Sequence, residues 1–409
     1  MSQFIIINNN KYDITNLNHP GGDVITYYFN KDATDVYNAF HQRSTKANVI
    51  LNNLPVINDI DTNFKDNDIN TDFKDNRNKL MLEDFNKFRQ SLLDRGFYKP
   101  NYWMLSLFIL DILVFFGLGI YLISRNIFFS LLAFSISYGK CGWLNHEAGH
   151  NSLTGNIKID KFIQSLSIGL GVSMHYNSWN LIHNKHHACT QKINHDLDTD
   201  SIIAYFIGAV EKNKFIIRNR YWLRLQVYNY YLFGMFFVFL FLKYIDHPRQ
   251  MIKDRNYKQM IIAIFSYISK IAMFMYFGNY TFKESLFLYH CMMWLISLYL
   301  FGHFTLSHSS TDIVNENTDK NWVEYSLEHT IDISPNNSLV CWFMGYLNCQ
   351  TVHHLFPTLQ NFRQPEVSKE LILFAKKWDI KYTICTYREA WIRTLKNLND
   401  VGKYYYKKI

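Results

Sequence analysis

Three short stretches concentrate the imidazoles of this chain: HEAGH with His146 and His150, HNKHH with His183, His186 and His187, and QTVHH with Gln350, His353 and His354. Side chains four residues apart lie one above the other on a helix, so His146 and His150 can reach a single metal ion. The second stretch predicts His183 and His186 on one helix face, with His187 turned towards a second ion. The third repeats that geometry with Gln350 in the leading position. One such pair is a weak signal, because helices carry it by chance. Seven histidines in three clusters at the ends of apolar segments are hard to explain as packing or as a chance surface patch. Imidazole suits iron, zinc, copper and nickel, so ligand type does not choose the metal. More than four histidines exceed one tetrahedral zinc site, which favours two ions. A histidine-rich diiron pair with almost no carboxylate, placed beside lipid, implies oxygen activation and attack on an unactivated C–H bond.

A further pair lies near the start of the chain. The HPGG turn fixes the backbone and leaves His19 projecting, while DATDVYNAFH reads as a helix or turn that delivers His41 from the other side. Two histidines so placed can hold a haem iron axially between them.

The elements that must position these groups are apolar. Residues 102–124 and 127–144 are long enough as helices to cross a bilayer and return, with HEAGH at the exit of the second. Asp111 inside the first is unusual there, and is read as pairing within the helix bundle. Three more apolar runs follow at 227–245, 259–278 and 285–304. If all three crossed, HNKHH and QTVHH would face opposite sides of the membrane, which a shared metal site forbids. Arg218, Arg220 and Arg224 precede the first of these runs, and Lys243, Arg249, Lys253, Arg255 and Lys258 follow it, so both flanks read as cytosolic. The run 227–245 is therefore expected to lie in the interface or dip in without crossing, which gives four crossings. Residues 162–174 are too short to span. Residues 79–98 carry apolar side chains at helical spacing and form an amphipathic helix leading to the membrane.

Composition agrees with a membrane enzyme. Of 409 residues 48% are hydrophobic and 17% aromatic, too many for a disordered chain. The net charge of +8 is scattered beside apolar runs, so a membrane surface explains it better than nucleic acid. The six cysteines show no paired spacing, and the opening residues lack a secretory leader, which together suggest a reducing, cytosol-facing catalytic side. Residues 61–80, polar and containing the near-repeat TNFKDN and TDFKDN, read as a tether between residues 1–60 and 81–409.

HEAGH, HNKHH and QTVHHLFP, in that order, resemble the three histidine boxes of membrane fatty acyl desaturases. The glutamine-led third box is similar to that of the front-end desaturases, which insert a double bond between an existing one and the carboxyl end. The resemblance implies a mainly α fold, a four-crossing transmembrane helical domain with a cytosolic diiron cap. It also implies that His146, His150, His183, His186, His187, His353 and His354 bind two iron ions. His308 stands where the family places a further histidine, and Gln350 would support the site directly or through water. His195, in the acidic loop NHDLDTD, would act from behind the ligands. His175, His290, His303 and His329 match no box.

Residues 1–60, with YDIT, HPGG, DATD and FH in sequence, are similar to cytochrome b5, shortened at the start. That likeness implies a small α+β module binding haem b through His19 and His41. Electrons from NADH would arrive through a separate cytochrome b5 reductase, and O2 would be co-substrate. The acyl substrate would be carried by coenzyme A or phospholipid in the membrane of the endoplasmic reticulum. A sphingolipid long-chain-base desaturase shares the haem module and the glutamine-led box. A hydroxylase using the same oxidant, and a non-catalytic, membrane-tethered haem carrier, also compete with this assignment.

Overall fold

A computed structural model describes residues 3–57, 69–192, 196, 220–230, 235–311 and 320–408. His195, Arg218, and parts of the 61–80 and 227–245 segments lie outside the described residues. The fold is mainly helical. It opens with an antiparallel hairpin, β1 (Phe4–Ile7) and β2 (Asn10–Asp13), turned at Asn8 and Asn9, both with positive φ. Two short helices follow, α1 (Thr34–His41) and α2 (Thr45–Asn52). Ile5, Ile7, Ile14 and Ala33 form the small core between them.

Helix α3 (Ile69–Asp94) begins inside the segment read as a tether. Its apolar stripe is Met81, Phe85 and Leu92. This stripe packs on the cap against Val352, Leu355, Phe356 and Phe374, so α3 is part of the body that holds the third histidine stretch.

Among the described residues, four helices are long and apolar enough to cross a membrane: α4 (Tyr102–Leu122), α5 (Ile127–Gly149), then, beyond several shorter helices, α10 (Tyr257–Gly278) and α11 (Phe282–Phe304). Each has 21 to 23 residues, roughly 32–35 Å at 1.5 Å per residue, against about 30 Å of hydrocarbon. Each starts at an Asn or Thr whose side chain accepts a hydrogen bond from the first turn: Asn101, Asn126, Asn256 and Thr281. Helix α4 lies at the rim, with Leu107, Leu110, Leu113 and Val114 exposed for lipid, whereas α5 is central and packs on α4, α6 (Ile157–Val172) and α11. Gly139 allows that approach, because a Cβ there would stand 2.1 Å from the Tyr299 ring.

Asp111 pairs within the bundle as expected. Its Oδ2 is 2.7 Å from Lys140 Nζ and accepts a hydrogen bond from Trp342 Nε1 at 2.9 Å. The third apolar run does not form a spanning helix among the described residues. It appears as α8 (Met235–Phe241), a wide π-type turn over Leu242–Asp246, and α9 (His247–Lys253). Lys243 in that turn donates to the Val172 carbonyl at 2.9 Å, and Lys270 of α10 donates to Gly171 O at 2.8 Å. The two lysine side chains thus satisfy carbonyls at the end of α6 and tie the Leu242–Asp246 turn to it.

The cap is completed by α7 (Tyr176–Ala188), α12 (Trp322–Glu328), α13 (Gln350–Leu355), α14 (Gln364–Lys377) and α15 (Tyr387–Lys408). A parallel pair, β3 (Ile331–Ile333) with β4 (Thr383–Cys385), braces it. Asp332 of β3, fully buried, accepts from Thr351 N at 2.8 Å and Ser368 Oγ at 2.8 Å, and so fixes the start of α13.

Candidate metal centre

The three histidine stretches sit on α5, α7 and α13, and their rings meet at one end of the four long apolar helices. Among the described residues, eight histidines form two groups, each able to hold an ion. His146, His150, His183, His187 and His353 make the first group; His186, His308 and His354 make the second. The groups adjoin, since the rings of His187 and His354 stack with centroids 4.1 Å apart.

In the first group the Nε2 atoms follow one another closely: His150 to His183 at 2.9 Å, His183 to His187 at 3.1 Å, His187 to His353 at 3.0 Å. Metal–nitrogen bonds of about 2.1 Å meeting near right angles would place neighbouring donors about 3.0 Å apart. His146 Nε2 is buried with no hydrogen-bond partner, while its Nδ1 meets Glu147 Oε1 at 3.2 Å. A buried imidazole nitrogen left without a partner in such a ring of donors fits a cation at its centre.

In the second group His186 Nε2 is 3.2 Å from His308 Nε2. The side-chain amide nitrogen of Gln350 lies 3.0 Å from His308 Nε2 and 3.2 Å from His354 Nε2. His308 and Gln350 therefore join the cluster where the sequence placed them. The pairing within the stretches differs from expectation. His183 shares its group with His187, not His186, and Gln350 faces the same group as His354, not His353. On a helix with 3.6 residues per turn, positions four apart diverge by about 40° and positions three apart by about 60°. The i, i+4 pairs are the better aligned, and here they win.

Burial, then the neighbouring imidazoles, holds His183, His187, His308, His353 and His354 well below the ordinary imidazole range and takes His150 to about 3. Each therefore offers a neutral ring, the form that binds metal. Several rings are oriented from behind. Asp196 Oδ2 meets His186 Nδ1 at 3.0 Å and accepts from Gln191 N at 2.6 Å. Thr190 Oγ1 meets His354 Nδ1 at 3.2 Å. Glu147 also accepts from Ser152 Oγ at 2.8 Å and Asn361 N at 3.2 Å. His195, expected to act from this loop, lies outside the described residues; its neighbour Asp196 is the residue that meets His186 from behind. Glu147 lies in plain view inside HEAGH, but its supporting role shows only in the fold. Asp196→Asn should lower metal affinity by about 10–100-fold, measured as metal retained on dialysis against a chelator. Unchanged retention would make Asp196 a packing residue only.

His175, His290, His303 and His329 join neither group. His303, for instance, is turned to Tyr387, with Nε2 2.8 Å from the hydroxyl. In the amino-terminal module the His19 and His41 rings lie 6.2 Å apart, edge to face. Two imidazoles bonded at about 2 Å to one iron between them have ring centres roughly 6 Å apart. Gly21 lets His19 lie there, because a Cβ would come within 2.8 Å of its Cε1.

The fatty acid desaturase family profile matches residues 125–384, which include every histidine of both groups. An acyl-lipid (8-3)-desaturase of Thraustochytrium sp is 31% identical over 97% of this chain and 92% of its own. Another, from Rebecca salina, is 32% identical over 97% of this chain and 91% of its own. The Delta(6)-fatty-acid desaturase fat-3 of Caenorhabditis elegans is 25% identical over 94% and 92%. The histidine cluster is consistent with the diiron site of this family, and the chain is a multi-pass membrane oxidoreductase. On a profile that covers most of the chain and relatives matched along nearly all of it, this protein belongs to the front-end acyl-lipid desaturase family.

Proposed function

We propose that the chain inserts a cis double bond between an existing one and the carboxyl end of a polyunsaturated acyl chain, with O2 as co-substrate. The observation that carries this is the convergence of eight histidines into two adjoining groups at one end of four apolar helices. His146, His150, His183, His187 and His353 would hold one iron, and His186, His308 and His354, with Gln350, the other. Iron bound there would supply oxygen activation and removal of hydrogens from two adjacent methylenes, with water as the other product. The protein's own residues hold the ligands in place, orient them through Asp196, Thr190 and Glu147, and keep the centre dry under the cap. They must also fix one C–C pair of the acyl chain against the site, because position sets regiochemistry.

Residues 1–60 would be the haem b module, with His19 and His41 as axial ligands, reduced by NADH through a separate cytochrome b5 reductase. Residues 81–409 would be the desaturase domain, in the endoplasmic reticulum, with both modules facing the cytosol. The (8-3) in the names of two full-length relatives makes an acyl chain with unsaturation at carbon 8 the first substrate to try.

The test is expression in yeast fed C18 and C20 polyunsaturated acids, with double bonds located by mass spectrometry. A new bond on the carboxyl side of an existing one is expected. Altered long-chain bases with unchanged acyl chains would instead identify a sphingolipid enzyme, and no change in either would favour the electron carrier.

A further inference from the structure

The amino-terminal module grips the backbone beside the metal-site histidines. Asp23 Oδ2 pairs with Lys185 Nζ at 2.7 Å, and the Tyr28 hydroxyl donates to Ala188 O at 3.1 Å, one on each side of His186 and His187. Arg43 Nη1 donates to Ser152 O at 2.8 Å and Asn151 O at 3.2 Å, just past His150. Gly22 lies against Leu181, where a Cβ would come within 2.8 Å of its Cδ2. These contacts bring one ring of the module onto the five-histidine group. Phe40, next in the chain to His41, packs edge-on to His187 with centroids 5.6 Å apart, and lies 6.4 Å from His150.

We propose that Phe40 is the bridging residue that couples the amino-terminal module to the five-histidine group, and that this seat is the position from which electrons pass. The proposal rests on His19 and His41 being haem ligands and on the histidine groups being an iron site. An electron leaving a haem held by His41 would oxidise that haem by one unit and reduce the non-haem pair by one, with NADH, through its reductase, as the source. Its rate falls steeply with any unfilled gap, and Phe40 fills the gap with an aromatic ring packed on His187. Fusion keeps the effective concentration of the seated module high, so the seat itself can rest on a few polar contacts.

The test uses the full-length, iron- and haem-loaded chain. Zero-length carbodiimide coupling should join Asp23 to Lys185, detected as a cross-linked peptide and absent in Asp23→Asn. Absence of that peptide in the wild type would overturn the seat. After an anaerobic reductant pulse, decay of the reduced-haem absorbance should slow several-fold in Phe40→Ala and Phe40→Leu and stay near wild type in Phe40→Trp. Haem content and cross-link yield should be unchanged in all three. Leucine as fast as phenylalanine would leave Phe40 a packing residue and overturn the coupling. A wild-type chain without haem absorbance, or an absorbance that survives His19→Ala, would instead overturn the haem assignment beneath it.

Discussion

Replacing His353 by Ala should abolish desaturation while the chain remains in the membrane. Its Nε2 lies 3.0 Å from His187 Nε2, and its ring centre is 4.4 Å from that of His146, so it touches imidazoles delivered by two other elements. Val352 and Leu355, on the same short helix, are locked in the core, and Asp332 holds Thr351. Those same contacts keep α13 in place without the imidazole, and none of the spanning helices depends on it. Product should fall by at least about 100-fold, more than the loss of a supporting residue costs, and metal content should drop with it. His186→Ala should do the same through the other group, where it faces His308 and Asp196. Lipid analysis, metal content and membrane flotation on the same preparations measure the three quantities. Substantial product from either variant at normal expression would sink the ligand assignment.

What the sequence made legible follows from periodicity and charge. Helix spacing places His146 with His150, and the cationic flanks of 227–245 argue against a fifth crossing. In the described parts of that run, α8 gives way at Leu242 to the turn that carries Lys243. What stayed hidden was tertiary. Which group each histidine joins depends on how α7 and α13 are rotated against α5, and a two-residue HH pair does not reveal that rotation. The acidic loop was visible as a source of support, but only the fold selects Asp196 to meet His186. The α3 stripe was legible as amphipathic, yet its partner, the helix bearing His353 and His354, lies far along the chain. The contact of Phe40 with His187 joins residues nearly 150 positions apart, and no local pattern encodes it.

The Asp111–Lys140 pair should prove far more costly to halve than to remove. Lys140 is fully buried between α4, α5 and the Trp342 carbonyl, to which it also donates at 3.2 Å. An ammonium group left without its carboxylate in a lipid-covered bundle has neither water nor a counter-ion. Asp111→Leu is therefore expected to destabilise the chain by about 3–5 kcal/mol, as the loss of one partner of a buried pair does. Adding Lys140→Met removes the stranded charge and should restore about 2 kcal/mol of that loss. About 1–3 kcal/mol should remain, because Trp342 Nε1 has still lost its acceptor. Thermal unfolding of the three detergent-solubilised variants, Asp111→Leu, Lys140→Met and the double, reads this directly. If the double variant is as unstable as the sum of the singles, the two groups act independently, and α4 is held to α5 by the packing of Gly119 on Phe134 rather than by the charge pair.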